Sequence, residues 1–232
     1  QDFSPRRHLG DMVRILLADA DIPRLRLSSL EPWDLDGAFF GLWQDQRLCR
    51  HLHLPLQSGS AGTLRRMARK TSPQAFRDLV SAARHAIPDV AITTDILVGF
   101  PGENGAEFAE SLEFVREMGF AGGHVFTYSE RPGTAAAGMT GVVPHAVRKQ
   151  RGAEMRQVLE ASAARYQQQF LGQEMGVLWE SALSLGPQGW RMSGLTDNYL
   201  RVTATTSSEL WNQITPVRLE HLQETGLYGM VR

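Results

Sequence analysis

Cysteine is almost absent from this chain: Cys49 is the only one in 232 residues. That excludes a disulfide framework and makes the cytoplasm the expected compartment. It also excludes any site that draws several thiolates from this chain. Lysine is nearly as scarce, Lys70 and Lys149 being the only two among 24 basic residues. Positive charge therefore rests on arginine, a planar bidentate donor suited to phosphate, although base composition can produce the same bias. A formal net charge of -1 supplies no global attraction for nucleic acid, so any RNA contact must be local. Long apolar runs are missing too. The longest stretch, Ile96 to Phe100, is flanked by Asp95 and broken by Gly99, far short of the roughly 20 residues of a membrane helix. No membrane partner is expected. The chain opens on Gln1 rather than methionine, and its polar start through Pro5 has no signal core, so we expect the natural amino terminus to lie further upstream.

What is present reads as two regions. Apolar positions at helical spacing predict a helix over Leu9 to Ala18, followed by a strand over Leu25 to Leu30 and a short helix over Leu35 to Gln44. A strand over His51 to Leu56 and a helix over Leu64 to Lys70 come next. Ser72-Pro73 places an N-cap residue before a first-turn proline, with Phe76, Leu79, Val80, Ala83 and Ile87 as the apolar face. Ala91 to Phe100 is nearly continuous in apolar residues, as in a strand covered on both sides. Asn104 with Glu107 forms a capping-box signature, and a further strand runs from Gly123 to Tyr128. Alternating strands and helices imply a parallel sheet, so residues 1–145 read as α/β. A long helical pattern spans His145 to Leu171. The remainder, 171–232, holds short alternating runs between turn residues, the pattern of a small β-barrel.

Three strands end in turns built for a ligand. Gly99-Phe-Pro-Gly-Glu103 brings flexible and rigid backbone together so that main chain can approach a flat molecule. Gln57-Ser-Gly-Ser60 offers an amide and two hydroxyls. Tyr128-Ser-Glu-Arg-Pro-Gly-Thr134 carries Arg131. Each string alone also suits a plain polar turn. Together they gather at the carboxyl edge of one parallel sheet, where such sheets place their ligands.

These three segments resemble the radical S-adenosylmethionine methylthiotransferases, which carry versions of LPLQSGS, TDIIVGFPGE and YSPRPGTPAA in this order. The resemblance runs from about Leu25 to the end of the chain. It implies a partial radical-SAM (β/α) barrel lacking its first strands, then a linking helix over 146–170. A small all-β TRAM (OB-like) RNA-binding barrel follows over 171–232. It also implies S-adenosylmethionine as cofactor, with Gln57 and Ser58 near its ribose or methionine part and Val98, Gly99 and Phe100 along its adenine. A 4Fe-4S cluster, an electron donor and tRNA are implied as further partners. The chain departs from the pattern at Thr71, where tyrosine is usual, and at Ala136, where proline is common. It also lacks the CxxxCxxC loop, so cluster ligands are absent and the chain is expected to be an inactive carboxy-terminal fragment. Within the family the closest pattern is the MtaB branch, which methylthiolates N6-threonylcarbamoyladenosine beside the anticodon. Arg131 is then the candidate for the threonine carboxylate, unless it pairs only with Glu130 or a neighbouring loop. Arg148, Arg151 and Arg156 on the linking helix are the candidates for tRNA phosphates, or else a solvated face. No catalytic residue is assigned.

Three other readings differ. The isopentenyladenosine branch, MiaB, fits nearly as well. A barrel metallohydrolase could use His51 and His53, with Asp95 and His124 on later strands, but histidines that begin a strand sit at the wrong rim. A nucleic-acid module without catalysis could stack bases on Trp190, Tyr199 or Trp211. Cys49 reads as a buried small hydrophobe.

Overall fold

The computed structural model describes residues 8–232; the polar start of the chain lies outside them. Helix α1 covers Leu9–Asp19, and α2 covers Gly37–Phe40 with a 3-10 turn after it at Gly41–Gln44. Strand β1 is His51–His53, followed by α3 at Ala61–Arg66 and α4 at Pro73–Ala86. Then come β2 at Ala91–Val98, α5 at Gly105–Met118, β3 at Gly122–Thr127 and the long α6 at His145–Gln168. Five strands complete the chain: β4 Glu174–Gly186, β5 Gly189–Thr196, β6 Arg201–Thr206, β7 Ile214–Gln223 and β8 Gly226–Val231.

The helix boundaries follow from local chemistry. Ser72 accepts the Ala75 N–H at 3.1 Å and Pro73 starts α4, so one orphan donor is satisfied and one is removed. Asn104 and Glu107 exchange side-chain and backbone bonds of 3.0 Å at the start of α5. Gly119 ends that helix in the left-handed region at φ 58°.

Strands β1, β2 and β3 are parallel, in that order. They form an open three-stranded sheet, which corrects the expected (β/α) barrel wall. Two local causes are visible. Leu25 to Leu30 does not become a strand and contributes a single bridge, Leu25 to Leu48. The ladder of β1 ends just beyond His53: Leu54 still donates to the Thr93 carbonyl at 2.8 Å, but its own carbonyl accepts the Thr94 hydroxyl at 2.8 Å, and strand pairing resumes only as the bridge between Gln57 and Ile96. One face of the sheet is the core. Leu52, Leu54, Ile92, Ile96 and Val98 pack there with Phe76, Phe114 and Phe120. Alternate residues point the other way; His51, His53, Thr93, Asp95 and His124 are the polar ones there, and Phe126 is an exposed apolar one.

The last five strands close in the order β4-β5-β6-β8-β7, around Trp179, Met192, Val202 and Leu219. This unit is held to the sheet by arginines. Arg24 donates to the carbonyls of Gly176 at 2.8 Å and Leu195 at 3.1 Å. Arg26 donates to the carbonyl of Thr196 at 3.0 Å, and Arg50 grips the Asp197 carboxylate at 2.6 and 3.2 Å. Among the described residues no helix is long and apolar enough to cross a membrane.

Candidate ligand sites on the sheet

The carboxyl rim of the sheet brings together most of the residues singled out from sequence. Gln57 is held at φ 68° and Gly99 at φ 74°, two sharp turns on adjacent strands. The Gln57 carbonyl accepts the Leu97 N–H at 2.8 Å, which ties the two turns to each other. Val98, Phe100 and Ser58 lie at this rim but are enclosed, at 1%, 6% and 1% exposure. The Ser58 hydroxyl accepts the Ser60 N–H at 3.2 Å. Gln57 is the one of the five that is neither buried nor covered by Arg148.

Below Gly99 sits a buried ion pair that sequence reading did not anticipate. Glu103, 5% exposed, accepts the Gly99 N–H at 2.9 Å and Arg151 Nη1 at 2.7 Å. Burial pushes its carboxyl up, while the Gly99 amide and the Arg151 guanidinium pull it back. Arg151 also donates to the Glu103 carbonyl at 3.0 Å and lies 5.2 Å over the Phe108 ring. Its expected role on tRNA phosphate is corrected on that ground, because its guanidinium is spent inside the fold. Arg148 donates to the Tyr128 carbonyl, and its aliphatic stem lies across Gly99. Arg156 and Lys149 are exposed, and with Thr127, Ser129, His145 and Arg148 they line a cavity of about 400 Å³. Arg131 is exposed on the loop after β3, where its carbonyl accepts from Thr134.

A second hollow, of about 590 Å³, lies between the polar face of the sheet and the closed barrel. His51 and His53 both reach Thr93 Oγ1, at 2.9 and 3.0 Å, and His53 Nε2 is 3.4 Å from Asp95 Oδ2. Burial, with Arg26 and His53 nearby, lowers the His51 pKa to about 3, so its ring is neutral. Tyr199 stacks on that ring at 4.0 Å. The two histidines engage a hydroxyl instead of converging on a common point. Among the described residues no group of three or more His, Cys, Asp or Glu is placed to hold a metal, so the metallohydrolase alternative gains nothing here. Period-two alternation along β2 signals that Thr93 and Asp95 share one face. Nothing local to the sequence signals Tyr199 against His51.

Cys49 is 2% exposed and burial raises its thiol pKa. A lone buried thiol does not fit a 4Fe-4S cluster, which takes several thiolates, and no step is derived through one. At the rim, Gln57 is the residue left open toward a ligand such as S-adenosylmethionine, while Gly99 lies buried beneath the Arg148 stem with its N–H held by Glu103.

A parallel sheet with sharp turns at its carboxyl ends, flanked by capped helices, is an α/β architecture of the kind that gathers ligands at that edge. The Radical SAM superfamily model matches residues 2–115, and the chain belongs to that superfamily, related to bacterial tRNA methylthiotransferases. It is 35% identical over 231 residues, 99% of its length, to the tRNA-2-methylthio-N(6)-dimethylallyladenosine synthase of Geobacillus kaustophilus. It is 33% identical over 199 residues, 85% of its length, to the threonylcarbamoyladenosine tRNA methylthiotransferase MtaB of Bacillus subtilis. The chain spans 43% of the first relative and 44% of the second. In fold it is similar to coproporphyrinogen III oxidase (HemN) from Escherichia coli, a radical SAM enzyme. That likeness has a TM-score of 0.52 and 12% identity, covering 97% of this chain and 56% of the other.

Proposed function

We propose that this chain takes part in tRNA methylthiolation, with N6-threonylcarbamoyladenosine as the target nucleoside. The observation that carries the reading is the similarity to curated methylthiotransferases along 85 to 99% of the chain, joined to a rim where Gln57 and Gly99 turn sharply at strand ends. S-adenosylmethionine is the cofactor, held by Gln57, by Ser58 through its backbone, and by the Val98-Gly99-Phe100 turn. When bound it supplies the radical chemistry of the superfamily. The chain's own residues orient it: the Glu103 carboxylate fixes the Gly99 amide, and Arg151 fixes Glu103. Arg131 is the partner of the threonine carboxylate, and a polar arm without such a partner would be rejected. Lys149, Arg148 and Arg156 form the phosphate-facing surface. Residues 1–145 form the catalytic part, 146–170 the link and 171–232 the RNA-binding part.

A second reading, dimethylallyladenosine as substrate, is favoured by the 35% identity that extends over 99% of the chain. Nucleoside mass spectrometry separates the two. The chain is expressed joined to an amino-terminal part that supplies the cluster ligands, in cells lacking both tRNA activities. Methylthio-threonylcarbamoyladenosine is the expected product. Appearance of only the methylthio-dimethylallyl product overturns the substrate, and appearance of neither overturns methylthiolation.

A further inference from the structure

Arg148, Gly152 and Arg156 are spaced four apart and therefore share one face of α6. Gly152 lets that face lie close on β3: an added Cβ there would meet Thr127 Cγ2 at 3.0 Å and Arg156 Nη1 at 3.4 Å. Beside this contact lies the cavity of about 400 Å³ that Thr127, Ser129, His145, Arg148, Lys149 and Arg156 line. Its charge is of one sign. No Asp or Glu lines it, and among the described residues neither Arg148, Lys149 nor Arg156 forms an ion pair. Two further hollows against α6 mix both signs: Arg116, Glu154 and Arg165 line one, and Arg84, Asp89, Glu117 and Arg165 line the other. Three permanent cations without a counter-ion, with two hydroxyls beside them, suit a phosphate group.

Arg148 joins this cavity to the rim. Its head donates to the Tyr128 carbonyl, and its stem lies on Gly99, where an added Cβ would be 2.3 Å from Cγ and 2.8 Å from Cδ. Gly99 is buried under that stem, so a ligand reaches the turn from this side only when the stem leaves. The covered arrangement also leaves a donor unpaired, because Arg148 Nε is buried with no hydrogen-bond partner. A phosphate offers the guanidinium two parallel bonds to a full negative charge, where the Tyr128 carbonyl offers one bond to a partial charge.

We propose that the cavity seats one phosphate group and that this seat switches the rim: phosphate draws the Arg148 head off the Tyr128 carbonyl, and the departing stem uncovers Gly99. The inference rests on the phosphate and cofactor roles proposed above and adds the coupling between them. That coupling runs both ways, so a cofactor on the uncovered turn tightens phosphate as much as phosphate tightens the cofactor.

Titration of the full chain with inorganic phosphate at constant ionic strength tests this, followed by calorimetry and by the Gly99 amide and Arg148 Nε–H resonances. Saturable binding is expected, with both resonances moving together and Gly99 amide exchange quickening at least about fivefold. Sodium chloride should reproduce neither effect. Lys149→Ala with Arg156→Ala, both exposed side chains, should weaken phosphate at least about tenfold. Arg148→Met keeps a stem over Gly99 and removes the head, so it should bind phosphate more weakly and lose the Gly99 response. If that variant fails to fold, the Gly99 response of the unmodified chain and its loss in the double variant at the same phosphate concentration decide. A short oligouridylate that competes with phosphate and moves Gly99 identifies RNA backbone as the source, and failure to compete identifies a free phosphate. S-adenosylmethionine, titrated separately, should bind at least about fivefold tighter with phosphate present. A Gly99 response without S-adenosylmethionine binding in either condition upholds the switch and removes the cofactor role of the rim. Absence of saturable phosphate binding, saturation without a change at Gly99, a Gly99 response that survives in Arg148→Met, or equal S-adenosylmethionine affinity with and without phosphate overturns the proposal.

Discussion

His51 sits where burial and a neutral ring are coupled, and this gives the chain a predictable acid sensitivity. Its folded pKa is about 3, against 6.5 for an ordinary histidine. Between those values the unfolded chain takes a proton that the folded chain refuses. The contribution is complete above pH 6.5, shrinks as pH falls and is gone below about 3, worth roughly 3 kcal/mol between pH 7 and pH 4. Urea unfolding at those two pH values measures it, and His51→Phe should flatten the dependence in that window. An unchanged slope in the variant would assign the acid sensitivity to other groups. Gly99 is the second sensitive residue. Its φ is 74°, and an added Cβ would lie 2.3 Å from Arg148 Cγ. Gly99→Ala should cost about 1–3 kcal/mol from backbone strain, with Arg148 displaced. A thermal midpoint within a degree of the parent would contradict that account.

At the scale of elements, the turn after β2 is braced from α6. Arg151 exposes 11% of its side chain and Glu103 exposes 2%, so neither charge can be rescued by water if the other is lost. Arg151→Met should therefore destabilise by about 3–5 kcal/mol, whereas the double change Glu103→Gln with Arg151→Met should recover much of it. Denaturant midpoints of the two variants check this, and equal losses would mean that the pair is not coupled. The elements differ in how far they could be read from sequence. Caps at Ser72 and Asn104 were legible because they act within four residues. The strand at Leu25 to Leu30 was misread because alternation reports a face to bury, not a partner to pair with. The shortening of β1 could not be read locally, because the Leu54 carbonyl is taken by the Thr94 hydroxyl, 40 residues further on. The Glu103–Arg151 pair was hidden, since 48 residues separate its members and each charge alone looks like surface.

At the scale of the whole molecule, the three ligand-shaped turns were legible at their positions, but the way the two halves meet was not. Arg24, Arg26 and Arg50 grip carbonyls and a carboxylate more than 140 residues away, and no local pattern announces such contacts. The same blindness affected the arginines of α6, which share a helix and differ in fate. Arg156 and Lys149 face solvent beside a cavity, while Arg151 is enclosed. If this surface meets RNA phosphates, binding releases counterions, and log affinity falls linearly with log salt, by about 0.7 to 0.9 per phosphate contact. Removing both outer charges, with Arg156→Ala and Lys149→Ala, should lower that slope by roughly 1.4 to 1.8 and leave stability nearly unchanged. Arg151→Met should act in reverse, lowering stability and leaving the slope intact. Fluorescence anisotropy with a labelled tRNA anticodon stem-loop across a salt series measures both. A slope that responds to Arg151→Met but not to the outer pair would place the RNA elsewhere on the molecule.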